Sequence, residues 1–296
     1  MVSGTLLAVF ALICSPCLAA VHYWVDYDCY AMPMATEAIA EAILMAQRSY
    51  DRLSNAANDP DIQILFSRIY HTTINDRRAV EHVRRIMYGI ANIKEVLSRE
   101  ESNTIIYCDN DARWQPVPGQ ATFPGGTQEW FDVNDPHFRF VGRPSCKDGS
   151  TSAVTYKAPN HHPLFSTGLA QVTICNIGVS RTRSTIAHHD YFDWSLGSLM
   201  YNPEWSSMNP YDTASVTVLH EFTHLPDFGI LDVPPDPYWW HNIIRKPTGQ
   251  ALMNADNYAF FGLLAHLGDY GFKLSDREWK AGVITRSTYR PGGRPR

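Results

Sequence analysis

The feature that most constrains this chain is a pentapeptide of the form H-E-x-x-H, whose ends are His220 and His224. Residues four apart lie on one face of a helix, so both imidazoles can reach a single metal ion. Glu221 lies one step around the helix and can address a water molecule bound to that ion. The pattern therefore predicts a catalytic zinc site with two histidine ligands.

The sequence around the pentapeptide favours the helix that such a site needs. Asp212 or Thr213 can cap the start of the helix, and apolar residues recur after them at helical spacing. Pro226 ends the helix because proline has no backbone N–H to donate. We therefore expect a helix over 213–225.

The composition is that of a folded, enzyme-sized chain. With 296 residues, of which 45% are hydrophobic, it can bury a large core. The formal net charge of -5 provides no long-range attraction for nucleic acid. The basic pairs at 77–78 and 84–85 are separated by apolar helical positions, so we expect no nucleic-acid partner.

The first 20 residues have the layout of a signal peptide. An apolar run at 6–13 is followed by small residues near Ala19 and Ala20. The run is too short to cross a bilayer, and no later segment reaches spanning length. We expect a secreted protein without a membrane anchor.

Removal of residues 1–20 would leave four cysteines, an even number that is typical of an oxidising compartment. They are Cys29, Cys108, Cys146 and Cys175. Three pairings are possible, and the spacing does not choose among them. A zinc site built from these cysteines is an alternative, but they are far apart and lack C-x-x-C spacing.

The rest of the chain divides into a helical part over 30–100 and a sheet and catalytic part over 101–285. Apolar periodicity and turn residues place the individual elements. We expect helices at 36–53, 79–97 and 249–267, strands at 104–108, 138–141, 153–157 and 170–176, a loop at 115–126, and a flexible tail at 286–296.

Two histidine pairs, at 161–162 and 188–189, invite a second metal interpretation. Adjacent residues on a strand point to opposite faces, so such a pair seldom supplies two ligands to one ion. We interpret them as surface or substrate-contact histidines. The aromatic and acidic segment 190–194 is either a loop anchored by its rings or one wall of a cleft.

A catalytic zinc needs a third protein ligand and an open position for water. A metzincin pattern requires glycine and histidine where this chain has Asp227 and Ile230, so that class is excluded. Glu278 lies close to the C-terminus and is a poor candidate. Asp232 and Asp236 follow in a proline-rich loop, and both remain open as the third ligand.

The pentapeptide, an aspartate in the following loop, and N-A-D-N-Y at 254–258 resemble the deuterolysin-type metalloendopeptidases of fungi, the aspzincins. These include the lysine-specific metalloendopeptidases. Fainter similarities at Cys29, at 107–108 and at 173–176 extend the resemblance over most of the chain. It implies an α+β, zincin-like fold with N-terminal packing helices, a mixed sheet and the H-E-x-x-H helix below a cleft.

The resemblance also implies roles for residues in the third-ligand loop. In that family a G-T-x-x-D-x-x-Y-G loop supplies the ligand and a tyrosine that stabilises the oxyanion. This chain has D-V-P-P-D-P-Y-W-W at 232–240, without the Gly-Thr and Tyr-Gly pairs. The resemblance implies that Asp236 is the third ligand, with Asp232 as the alternative, and that Tyr238 is the tyrosine that stabilises the oxyanion.

Asp256 matches the aspartate of the family's N-A-D motif, which helps to form a pocket for a substrate lysine. Its carboxylate lies among apolar residues and needs a partner or water. The alternative role is to orient His220 or His224 as a hydrogen-bond acceptor. The resemblance further implies a disulfide between Cys29 and Cys108, which leaves Cys146 to pair with Cys175.

Together these features predict a metallopeptidase domain over 21–285 that binds Zn²⁺ and acts as a monomer on protein or peptide substrates. Cleavage is expected on the amino side of lysine. The alternative is a secreted binding protein on a catalytically degenerate zincin scaffold, an idea motivated by the altered third-ligand loop. The intact pentapeptide argues against that alternative.

Overall fold

The computed structural model describes residues 21–118, 128–158, 169–176, 185 and 213–289. Several predicted features lie outside these residues: the signal segment 1–20, the histidine pairs at 161–162 and 188–189, and the segment 190–194. Within the described residues the chain is α+β, as expected, with helices packed on a mixed sheet.

The N-terminal part is mainly helical. Its elements are β1 (His22–Val25), α1 (Tyr27–Tyr30), α2 (Pro33–Ser54), α3 (Pro60–Tyr70) and α4 (Arg77–Ala91). The predicted helices at 36–53 and 79–97 correspond to α2 and α4.

Two details of this part differ from prediction. Helix α4 ends at Ala91 because Asn92 leaves the helical conformation, and the chain then forms β2 (Lys94–Glu95). Helix α3 was not predicted, although its start has a clear sequence signal. Asp59 accepts a hydrogen bond from Ile62 N at 3.0 Å, and Pro60 occupies the first helical position.

Within the described residues, the central sheet has five strands in the order β2-β1-β3-β8-β7. Its remaining strands are β3 (Thr104–Tyr107), β7 (Ala153–Lys157) and β8 (Ala170–Ile174). All neighbours pair in parallel except β7, which runs antiparallel to β8. This confirms the predicted strands at 104–108, 153–157 and 170–176 and the mixed character of the sheet.

A smaller antiparallel sheet packs against the central one. It contains β4 (Trp114–Pro116), β5 (Glu129–Asp132) and β6 (Asp135–Val141), in that order. Ile105 and Tyr107 of β3 join Trp114 and Phe138 in a second apolar core, whereas Ile106 faces the helices. Gln115 and Pro116, which were expected in the loop at 115–126, instead pair with β5, and residues 119–126 of that prediction lie outside the described residues.

The C-terminal part packs on the helices. It contains α5 (Ala214–Thr223), α6 (Trp240–Ile243), α7 (Thr248–Ala251), α8 (Ala255–Leu267), β9 (Phe272–Leu274) and β10 (Ile284–Arg286). Helix α5 carries the H-E-x-x-H pattern. Thr213 occupies its N-cap position without a side-chain capping bond, and His224 follows its last residue.

The single helix expected at 249–267 is instead two helices, α7 and α8. Asn254 between them has an extended backbone, and Leu231 pairs with it in an isolated parallel bridge. Tertiary contacts thus override local helical periodicity at this point. Two residues expected in the tail from 286 are also held in place, because Arg286 pairs with Phe272 and Ser287 N donates to Gly271 O.

Both expected disulfides are present. Cys29 of α1 is bonded to Cys108 at the end of β3, and Cys146 is bonded to Cys175 at the end of β8. The first bond joins the N-terminal arm to the central sheet. Among the described residues, no helix is both long and apolar enough to cross a membrane.

Helix α5 is deeply packed, and this fixes the direction of its polar side chains. It lies against α2, α8 and β7. A close approach between α8 and α5 occurs at Gly262, where an added Cβ would overlap the side chain of Leu219. The histidines of α5 are therefore presented from a rigid element.

Candidate metal centre

The two histidines of the pentapeptide are oriented by hydrogen bonds at their Nδ1 atoms. His220 Nδ1 lies 2.6 Å from Asp256 Oδ1, and His224 Nδ1 lies 2.9 Å from Ile230 O. A carboxylate and a carbonyl only accept hydrogen bonds, so each Nδ1 is the donor. In the neutral imidazoles each Nε2 atom then carries a free lone pair, and this is the tautomer in which Nε2 can bind a metal.

The two Nε2 atoms converge with the carboxylate of Asp232. They lie 3.1 Å apart, and Asp232 Oδ1 is 3.2 Å from His220 Nε2. Asp232 Oδ2 is 3.5 Å from His224 Nε2. Of the described residues, only these three form a group whose potential ligand atoms all lie within 4.8 Å of one another.

This convergence fits a cation. Three lone-pair acceptors that face one another repel unless a positive charge lies between them. Asp232 Oδ1 is buried and accepts no hydrogen bond from the described part of the chain. Two imidazole nitrogens and one carboxylate are a donor set that suits zinc and leaves a fourth position open for water.

The carboxylates beside His220 also affect its protonation. Burial opposes a charge on His220, but the carboxylates of Asp232 and Asp256 outweigh burial and raise the pKa of this histidine well above its usual value. Burial likewise opposes ionisation of Asp232, but the imidazoles of His220 and His224 hold the pKa of its carboxyl well below its usual range. The site therefore stabilises positive charge.

The structure places Asp232, and not Asp236, beside the histidines. Asp236 follows Pro234 and Pro235, is exposed, and has a backbone φ of 51°. Its carboxylate is absent from the group of converging ligand atoms. Asp232, which the sequence left as the alternative, is thus the third member of the site.

Asp256 lies behind His220 instead of on the floor of an open pocket. One of its oxygens pairs with His220 Nδ1, and the other accepts a hydrogen bond from Trp239 N at 3.0 Å. The residue is 4% exposed. This geometry corresponds to the orienting role that the sequence offered as the alternative to a lysine pocket.

Tyr238 lies at the site, as expected. Its hydroxyl donates to Asp232 Oδ2 at 2.9 Å, and its ring centroid is 5.8 Å from that of His220. The side chain is 37% exposed, so the phenol borders solvent as well as the ligand group. It is placed to contact a molecule that approaches the histidines.

Glu221 is held by a residue that sequence reasoning missed. Thr155 of β7 directs its hydroxyl at Glu221, with 2.7 Å to Oε2 and 3.0 Å to the backbone oxygen. Glu221 is 6% exposed, so this contact fixes the carboxylate in a nearly closed environment. The strand was predicted, but no local signal pairs residue 155 with residue 221.

The structure therefore brings together the predicted His220, Glu221, His224, Tyr238 and Asp256, with the alternative Asp232 in place of Asp236. Lys246 was also missed, and Asn254 was noted only as the first residue of N-A-D-N-Y, because the contacts of both are with backbone atoms distant in sequence. Comparison of the chain with protein-family models and with curated proteins finds no match in either.

Proposed function

We propose that this protein is a secreted zinc metalloendopeptidase with a zincin-like fold. The observation that carries the proposal is the convergence of two imidazole lone pairs and one carboxylate, next to the glutamate of an H-E-x-x-H helix. Two disulfides and the signal-like segment 1–20 support secretion.

When bound, zinc would supply Lewis acidity, lowering the pKa of a coordinated water and polarising the scissile carbonyl. Glu221 is the general base in this proposal: its carboxylate takes the proton of the attacking water and passes it to the leaving amine. The hydroxyl of Thr155 orients that carboxylate. Asp256 and Ile230 O keep the imidazoles in the tautomer that leaves Nε2 free for the metal.

Tyr238 is the proposed donor to the oxyanion that develops on the substrate carbonyl. Its hydroxyl now donates to Asp232 Oδ2, so it must exchange this acceptor for the substrate oxygen during the reaction. Both acceptors are anionic at that stage, so the exchange replaces one charge-assisted hydrogen bond with another.

A polypeptide substrate suits the position of β7. This strand carries Thr155 beside Glu221, and among the described residues it has one partner strand, β8. An extended peptide can add to such an edge through backbone hydrogen bonds. Preference for lysine stays a prediction from the resemblance, since both oxygens of Asp256 are already engaged.

Metal analysis and a casein assay on wild-type protein and on Glu221→Gln test the proposal. We expect one zinc per chain in both proteins and hydrolysis by the wild type alone, because glutamine cannot accept the proton of water. Stoichiometric zinc without hydrolysis of any protein substrate by the wild type would instead favour a binding protein on a degenerate scaffold. Equal hydrolysis by Glu221→Gln would exclude Glu221 as the base.

A further inference from the structure

Asp232 lies in an irregular, proline-rich loop, yet its carboxylate is already placed beside two imidazoles. We infer that Lys246 and Asn254 are positioning residues that clamp the backbone on the C-terminal side of Asp232 and hold the third metal ligand in place before the metal binds. The inference deepens the proposed function and rests on its metal site, with Asp232 as a ligand.

The residue before Asp232 is held by backbone bonds. Leu231 N donates to Met253 O at 2.9 Å, and Ala255 N donates to Leu231 O at 2.9 Å. Both polar groups of Leu231 are therefore used in the bridge to the segment between α7 and α8.

The residue after Asp232 is held by two side chains. Val233 N donates to Asn254 Oδ1 at 2.9 Å, and Lys246 Nζ donates to Val233 O at 2.6 Å. Because both neighbours of Asp232 have their N–H and C=O groups fixed, the backbone on either side of the ligand has little freedom to rotate. The Asp232 carboxylate is thus directed by hydrogen bonds that need no metal.

Lys246 donates hydrogen bonds to backbone carbonyl groups of a loop that has few backbone N–H donors of its own. Pro234 and Pro235 have no backbone N–H, and the same ammonium that binds Val233 O lies 3.2 Å from Pro235 O. Lys246 is only 5% exposed, and burying an ammonium is costly unless it is hydrogen-bonded and offset by negative charge. The carboxylates of Asp236 and Asp256 supply part of that charge, although burial outweighs them and lowers the pKa of Lys246.

Asn254 connects the clamp to the core. Its Nδ2 donates to Pro237 O and to Asn257 Oδ1, each at 2.9 Å. Asn257 in turn donates to Ile69 O of α3 at 2.9 Å. Since α8 begins directly after Asn254 and carries Asp256, one short segment orients both the His220 imidazole and the loop of the third ligand.

The test measures metal binding by the full chain, with Lys246→Met and Asn254→Ala as variants. Zinc affinity is obtained by competition with a chromogenic chelator, and the absorption spectrum of the Co²⁺-substituted protein reports ligand geometry. We expect affinity to fall about 10- to 100-fold in each variant, the range typical of residues that support metal ligands, with an altered Co²⁺ spectrum. Lys246→Arg, which keeps a cationic donor, should recover part of the loss.

Lys273→Met is the matched control. Lys273 also contacts two side-chain oxygens, of Asp276 and Asp61, but it lies on β9 and outside the ligand loop. The control should bind zinc as tightly as the wild type. Wild-type affinity and an unchanged Co²⁺ spectrum in both clamp variants would overturn the inference.

Amide hydrogen exchange of the metal-free wild type tests the same point without a substitution. The N–H groups of Leu231, Val233 and Ala255 should be protected, and fast exchange at all three would contradict a clamp that forms before metal binding. The outcomes separate the two proposals. If the wild type hydrolyses peptides and both clamp variants keep full zinc affinity, the clamp alone is refuted. If the wild type hydrolyses nothing but both clamp variants bind zinc more weakly, the peptidase alone is refuted.

Discussion

Asp256 Oδ1 lies 2.6 Å from His220 Nδ1, which joins the first turn of α8 to the first histidine of the H-E-x-x-H helix. The other carboxylate oxygen holds the backbone of Trp239 in the loop that follows Asp232. One buried carboxylate therefore orients a histidine of the candidate metal site and anchors the chain beside it.

Replacement of Asp256 by asparagine tests which role this residue has. The amide removes the negative charge behind His220 and offers one acceptor where the carboxylate offered two. We expect zinc affinity to drop about 10- to 100-fold, as measured by chelator competition. A variant that keeps zinc and selectively loses cleavage beside lysine would restore the lysine-pocket interpretation.

Thr155→Val removes the hydroxyl that contacts Glu221 while keeping the size and β-branching of the side chain. The carboxylate of Glu221 should be less well oriented, so we expect kcat to fall about 10-fold with little change in KM or zinc content. Steady-state kinetics on a fluorogenic peptide measure both constants. Thr36→Val removes an exposed helical hydroxyl and serves as the control. If both variants have the wild-type kcat, the hydroxyl of Thr155 does not contribute to catalysis.

Tyr238→Phe removes the proposed oxyanion donor but leaves the ring near His220. Loss of one such donor costs about 10²- to 10³-fold in kcat in well-studied hydrolases, and we expect a loss of that size with zinc still bound. Tyr30→Phe, which removes an exposed hydroxyl bonded to Glu95, is the control. If Tyr238→Phe hydrolyses peptides at the wild-type rate, the oxyanion donor is another group.

His266 provides a prediction on pH and stability. It is buried at the end of α8, with Nε2 3.4 Å from Glu41 Oε1 and Nδ1 3.7 Å from Asp269 Oδ2. Burial opposes its charge, but the two carboxylates outweigh burial and raise its pKa. The charged form is thus favoured by folding.

Because the folded pKa of His266 exceeds the unfolded value of about 6.5, its contribution to stability is complete below about pH 6.5 and is lost as pH rises through the folded pKa. Urea unfolding of wild type and His266→Gln across pH 5 to 9 should show the largest difference in unfolding free energy at acidic pH. A difference that grows toward alkaline pH would contradict this arrangement.

The sequence was sufficient for features defined by local pattern. The spacing within α5 and the strands β3, β7 and β8 follow from periodicity, whereas the α+β class and both disulfides follow from the resemblance. The choice between Asp232 and Asp236 does not. It depends on the path of a loop fixed by Lys246 and Asn254, and neither contact leaves a signal near residue 232.

The helix break before α8 is a second feature that the local sequence pattern does not predict. Residues 249–267 have helical periodicity, so local propensity gives no reason to interrupt them. Asn254 interrupts the helix because its backbone pairs with Leu231 and its side chain holds Val233. A buried asparagine within an apolar run is the one local hint, and it indicates a polar contact without identifying the partner.

Gly262 sets the distance between the two helices on which the site is built. At this residue α8 comes so close to α5 that an added Cβ would overlap the side chain of Leu219, one residue before the first histidine of α5. A methyl group at position 262 would act as a wedge between the helices, and the Asp256 carboxylate would be carried away from the imidazole that it orients. The contact between the Asp256 carboxylate and His220 thus depends on the absence of a side chain at Gly262, almost two turns further along α8.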